Sequence, residues 1–182
     1  MRPYNGKLYN QGTVESKSLA KCFEGDTVRF DLDSTAHTLS IAINGKEYGV
    51  CFTGLPAAKL YPCVAFYGSN REVELVSCSS SIVVTTKDVL AVAPAAGIPD
   101  ISCPSAVFDS MSPEGIALTG EGKLVKTLTS SKVHALVNQG YTKGKAWWEF
   151  KVRNTNIVIP VAIKRRAVTI ILHFPLVFAV NT

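Results

Sequence analysis

Signals for catalysis are scarce in this 182-residue chain. Its three histidines are His37, His134 and His173. None stands in a motif that supplies a partner acid or nucleophile, which general acid–base or covalent catalysis requires. There is no G-x-S-x-G elbow, no H-E-x-x-H pattern and no phosphate-cradling loop. Gly120-Glu121-Gly122-Lys123 is glycine-rich but short and has no helical pattern behind it, so it reads as a β-turn. The chain is therefore expected not to be an enzyme.

Other absences narrow the remaining classes. The five cysteines, at 22, 51, 63, 78 and 103, form no C-x₂₋₄-C knuckle, so neither a zinc site nor any other metal site or cofactor is expected. Their odd number and apolar surroundings point to reduced, buried thiols in a cytoplasmic protein. No N-x-[ST] acceptor occurs, and the start Met1-Arg2-Pro3-Tyr4-Asn5-Gly6 has no apolar signal core. The net charge is +5, but the basic residues are scattered. The one cluster is Lys164-Arg165-Arg166, so no nucleic-acid partner is expected. Long amphipathic helical patterns are missing too.

What the sequence does contain is alternation with period two. Val28, Phe30 and Leu32 oppose Arg29, Asp31 and Asp33, and Leu39, Ile41 and Ile43 oppose Thr38, Ser40 and Ala42. Such runs are half-buried antiparallel strands. Asn44-Gly45 is the pair favoured by a type I′ hairpin turn, with Gly49-Val50-Cys51-Phe52 as the returning strand. Further strands are expected at Tyr61 to Tyr67, Glu72 to Val76, Val133 to Val137 and Ala146 to Val152. Between them, Ser77 to Pro104 is rich in small residues with little periodicity and reads as a linker, with Ile82-Val83-Val84 as one optional strand. Short strands at regular spacing indicate an all-β, antiparallel β-sandwich. Phe30, Ile41, Ile43, Val64 and Phe66 are expected in its core.

Several of these segments carry a family resemblance. Glu24-Gly25-Asp26-Thr27-Val28, Asp31-Leu32-Asp33, Leu39-Ser40, Asn44-Gly45, Gly49-Val50 and Leu60-Tyr61-Pro62-Cys63-Val64-Ala65-Phe66-Tyr67 resemble, in order, the second half of a SPRY (B30.2-like) domain. Tyr4-Asn5-Gly6-Lys7-Leu8-Tyr9 looks like the segment just upstream, as found in very large HECT-type ubiquitin ligases and similar multidomain proteins. Phe108-Asp109, Ile116 to Thr119, Gly122 to Val125 and Trp147-Trp148-Glu149-Phe150-Lys151-Val152 resemble the first half of such a domain. Trp147 stands where the family more often has Tyr. The resemblance implies a concanavalin-like sandwich with Trp148 in the core and Trp147 on the outer face.

The order of the halves is inverted. Residues 1–78 are expected to be the C-terminal half of one SPRY domain, 79–104 a linker, 105–153 the N-terminal half of a second, and 154–182 an atypical hydrophobic tail. Either the chain is a slice of a tandem array, or the halves pack together as a circularly permuted sandwich. The first is the expectation, with intramolecular pairing of the halves as the most favourable fold open to such a fragment, because an isolated half-sandwich exposes strand edges and half a core. The tail's last apolar run of 14 residues, Ala167 to Val180, is interrupted by Pro175. It is shorter than the roughly 18–20 residues a spanning helix needs. Two strands broken at Pro175, or translation of normally non-coding sequence, are preferred to membrane contact through residues 157–180.

The resemblance also implies that partners are recognised by loops at one end of the sandwich. Tyr4, Asn5, Tyr9, Tyr67, Asn70 and Arg71 are the candidates, since Tyr and Arg are frequent interface anchors and a rigid scaffold limits the entropy lost on binding. The expected function is protein–protein interaction, as a partner- or substrate-docking segment of a larger, ubiquitin-ligase-related protein. The alternatives are a glycan-binding sandwich, which would show an exposed aromatic beside Asp or Asn acceptors in one concave surface, and an incomplete product with no activity of its own.

Overall fold

A computed structural model describes residues 5–10, 13–66, 68–81, 101–102, 105–110, 113–154, 161–164 and 169–170. The N-terminal segment supplies β1 (Lys7–Asn10), β2 (Thr13–Ser18), β3 (Thr27–Asp33), β4 (Thr38–Ile43), β5 (Lys46–Phe52), β6 (Tyr61–Phe66) and β7 (Glu72–Ser81). Then follow β8 (Ile101–Ser102), β9 (Phe108–Ser110), a 3₁₀ turn at Pro113–Gly115, β10 (Ile116–Thr119), β11 (Leu124–Thr127), β12 (Val133–Val137) and β13 (Lys145–Val152). The tail adds β14 (Val161–Lys164) and β15 (Thr169–Ile170). The expected all-β antiparallel sandwich is the observed architecture, with no α-helix among the described residues.

The strands of the two halves are interleaved. The larger sheet runs β10-β11-β7-β13-β3-β4-β5, with β8 attached to β7. β13, from the C-terminal half, lies between two N-terminal strands: Trp148 sits opposite Phe30 on one side and Cys78 on the other. The smaller sheet runs β15-β14-β6-β12-β9, so β6 is flanked by β12 from the C-terminal half. A central strand buried between two neighbours satisfies its backbone groups on both edges, which neither half does alone.

The core lies between the sheets. Phe150 is 0% exposed, and its ring lies 6.1 Å from Phe30 and 6.0 Å from Phe108, the latter on the opposite sheet. Tyr141 and Trp148 pack at 5.5 Å. Phe30, Ile41, Ile43, Val64 and Phe66 are buried, as the alternation predicts. The Asn44-Gly45 turn has φ values of 50° and 75° and closes a hairpin with Ile43 opposite Lys46, the two-residue geometry expected of this pair. At the end of the sheet, Lys17 Nζ donates to the carbonyl oxygens of Val50 (2.9 Å) and Tyr48 in β5, where a lysine guards an otherwise open strand edge.

The expected linker differs at both ends. β7 continues through Ser81, and Ser79 and Ser80 are buried opposite Trp147 and Ala146 of β13. Ile101 and Ser102 pair with Ser80 and Ser79. These serines lack strand propensity, but an adjacent strand offers them a hydrogen-bonded ladder and tertiary pairing overrides propensity. The optional strand at Ile82-Val83-Val84 lies outside the described residues. In the tail, β14 pairs antiparallel with β6, Val161 opposite Val64. No helix among the described residues is long and apolar enough to cross a membrane. The expected break at Pro175 and the position of His173 lie outside them.

Candidate functional site

Arg71 and Asn70 sit in the loop between β6 and β7, and one threonine of the other half determines that loop's shape. Asn70 N donates to Thr127 O (3.1 Å), and Thr127 N donates to Arg71 O (2.9 Å). The Thr127 hydroxyl donates to Gly68 O (2.8 Å) and accepts from Arg71 N (3.0 Å). Thr127 itself is 0% exposed, and the two bonds of its hydroxyl are part-buried. Asn70 adopts φ 56° and Gly68 φ 91°, backbone conformations that the four bonds hold in place. Asn70 itself is exposed and Arg71 half-buried.

The Arg71 side chain lies over Gly68. A β-carbon on Gly68 would lie 2.8 Å from Arg71 Nη2 and 3.1 Å from Nε, so the guanidinium occupies the space a side chain there would fill. Its Nε is buried without a hydrogen-bond partner. Desolvation lowers the pKa of this group from the usual arginine value. Further along β7, Glu72 pairs with Lys126 at 2.9 Å and Glu74 accepts from Arg153 Nε at 2.6 Å.

The other candidates are dispersed. Asn5 is half-buried and its Oδ1 caps Lys7 N at 3.0 Å, while Gly6 O accepts from Leu19 N at 2.8 Å. Tyr9 requires a correction: it is a strand residue of β1 opposite Val14 and only 5% exposed. Burial of its ring removes it from the surface anchors. Tyr4 and Tyr67 lie outside the described residues. No described contact joins Asn5 to Asn70 or Arg71.

A second surface feature lies on the outer face of the larger sheet. Trp147 of β13 is half-buried and Arg29 Cζ stands 4.9 Å from its ring centroid, while Trp148 points inward at 2% exposure. Arg29 Nε donates to Asp31 Oδ1 at 2.9 Å; against its desolvation, that hydrogen bond and the charges of Asp31, Glu47 and Glu149 raise the guanidinium's pKa. Asp31 Oδ2 has no partner. Asp33 Oδ1 accepts from Thr35 N (3.0 Å) and Ala36 N (2.9 Å), and its Oδ2 lies 3.5 Å from Lys145 Nζ. Together with Thr38, Ser40 and Val50 they border an open groove of about 440 Å³.

Thr127 and the groove were not foreseen. A lone threonine in a four-residue strand carries no sequence signal of a clamp. The outward set Arg29, Asp31 and Asp33 was legible, but the register that brings Trp147 beside it was not. Among the histidines, His37 lies in the β3–β4 turn at φ 56° and His134 in β12. Among the described residues, no three His, Cys, Asp or Glu side chains gather as metal ligands would.

Comparison with known proteins places this loop in a family context. Residues 1–79 match the SPRY domain family, which covers just under half of the chain. SPRY domains are in general protein-interaction modules. The chain is similar to F-box/SPRY domain-containing protein 1 of Drosophila mojavensis, 46% identical over 52 residues, which are 29% of this chain and 21% of that protein. It is 39% identical over 74 residues to the protein of that name from Drosophila willistoni, covering 40% and 28% respectively. For Drosophila ananassae the identity is 44% over 74 residues, with the same coverage. The chain spans less than a third of the length of these relatives.

Proposed function

We propose that the chain is a non-catalytic protein- or peptide-recognition module, acting as a docking segment of a larger, ubiquitin-ligase-related protein. The observation that carries this reading is the Thr127-clamped loop 68–71, which is fixed before any partner arrives and so loses little entropy on binding. The SPRY match over residues 1–79 supports the interaction role, and the F-box/SPRY relatives support the link to ubiquitin ligases. The interleaving of β13 between β3 and β7 favours a permuted pairing of two half-domains over two unconnected fragments. The free thiols of Cys22 and Cys51 are in keeping with a reducing, cytoplasmic setting.

Selection of a displayed random-peptide library on the full chain, followed by mapping of amide-signal shifts, tests the reading. The expected footprint includes Asn70, Arg71 and Thr127. Absence of any selected peptide, or a footprint confined to other surfaces, overturns it.

A second reading has its own observation. Trp147 stands opposite Asp31 on the face of the open groove, an aromatic next to a carboxylate, as a glycan site needs. A glycan array on wild type and Trp147→Ala separates the two: selective binding lost in the variant favours this groove, and no binding removes it.

A further inference from the structure

Three features of Arg71 do not fit a residue whose work is purely structural. The guanidinium is partly desolvated, its Nε is buried without a partner, and the carboxylate of Glu72, the next residue in the chain, is held by Lys126. A positive charge partly withdrawn from water without a counter-ion carries a desolvation cost, which a bound carboxylate would offset. Nε is the guanidinium nitrogen buried without a partner, while the residue as a whole is half-buried, with part of its surface open to solvent. The two terminal nitrogens form a planar pair of donors whose geometry matches a carboxylate.

We infer that loop 68–71 binds an acidic peptide, with the Arg71 terminal nitrogens receiving an Asp or Glu carboxylate and Thr127 acting as the positioning residue. This inference rests on the proposed recognition role of the loop and adds the chemistry of the partner. Thr127 fixes the Arg71 backbone from both sides, through its own N–H to Arg71 O and its hydroxyl from Arg71 N. Gly68, lacking a side chain, leaves room for the guanidinium to lie against the loop backbone. Asn70, the preceding residue, is exposed. The chain's net charge of +5 favours approach of an acidic segment.

The test uses the full chain and two acetylated, amidated peptides, Ala-Glu-Ala-Glu-Ala-Glu-Ala and its Gln counterpart. Arginine side-chain and backbone signals are followed by NMR. The Arg71 Nε–H signal is expected to shift saturably with the Glu peptide and not with the Gln peptide. Arg71→Gln is expected to weaken Glu-peptide affinity about tenfold or more, since a charge-assisted pair is lost. Thr127→Val should weaken it comparably, while Thr127→Ser, which keeps the hydroxyl, restores it with an unchanged fold by circular dichroism. If both peptides shift Asn70 and Thr127 amides equally and Arg71 stays still, the loop binds peptide without carboxylate selection. The inference then fails while the recognition role stands. If neither peptide moves any loop signal, or shifts spread over surface lysines without saturating, the carboxylate site is refuted. The library selection then decides the recognition role separately.

Discussion

Replacing Phe150 by alanine probes the joint between the two halves. Phe150 belongs to the C-terminal half, is 0% exposed, and packs between Phe30 of the N-terminal half and Phe108 of the facing sheet. Removing a fully buried phenylalanine costs about 3–5 kcal/mol when the surroundings cannot collapse into the gap. Two aromatic contacts across separate strands favour the upper part of that range. Against a domain stability of about 5–15 kcal/mol, the loss is large enough to shift the urea midpoint by more than 1 M. Urea unfolding followed by tryptophan fluorescence measures it, with Leu128→Ala, at 57% exposure, as the control. If Phe150→Ala and Leu128→Ala both cost less than about 0.5 kcal/mol, Phe150 is solvent-exposed and the halves do not share a core.

Other outcomes follow from titratable groups and the edge strand. Burial, with Asp26 adding to it, pushes the Cys22 thiol up to about 12. In the unfolded chain this thiol ionises near 9, so folding favours the protonated form, and its stabilising contribution is present below pH 9 and lost as pH rises from 9 towards 12. Iodoacetamide at pH 8.5 should therefore label Cys22 only after denaturation, and fast labelling of the native chain would contradict its burial. Asp33 has the opposite sign. Hydrogen bonds from the Ala36 and Thr35 amides, against some desolvation and with help from Lys145, lower its pKa. Its contribution is present above about pH 4 and disappears as the carboxylate protonates at lower pH, so Asp33→Asn should flatten the acid limb of a stability–pH curve. An unchanged acid limb would mean that the β3–β4 turn does not depend on the carboxylate. Lys17→Glu should raise the tendency of the chain to associate through β5, read by light scattering, because it removes the donor on the Tyr48 and Val50 carbonyls. No change in scattering would show that the edge needs no guard.

The sequence was informative where structure is local. Alternation placed Phe30, Ile41 and Ile43 inward, Asn44-Gly45 set the hairpin, and adjacent strand residues forced Trp147 and Trp148 to opposite faces. It failed where the decisive partner is distant in the chain. Ser77 to Ser81 read as linker because their own propensity is weak, yet β13 pairs with them across more than sixty residues. Tyr9 read as a loop anchor because its burial comes from packing that no local pattern encodes. Arg71 was recognised by residue type alone. The clamp that makes it a site depends on Thr127, 56 residues further on, and on a register that periodicity does not specify.

The most direct test of the account is NMR of the full chain for contacts of Trp148 with both Phe30 and Cys78. Strand order β7-β13-β3 predicts cross-strand contacts to both partners in the same molecule, at the same intensity over a tenfold dilution. Contacts to only one neighbour, or contacts that appear solely between differently labelled molecules, would contradict the interleaved sandwich and the clamped loop built on it.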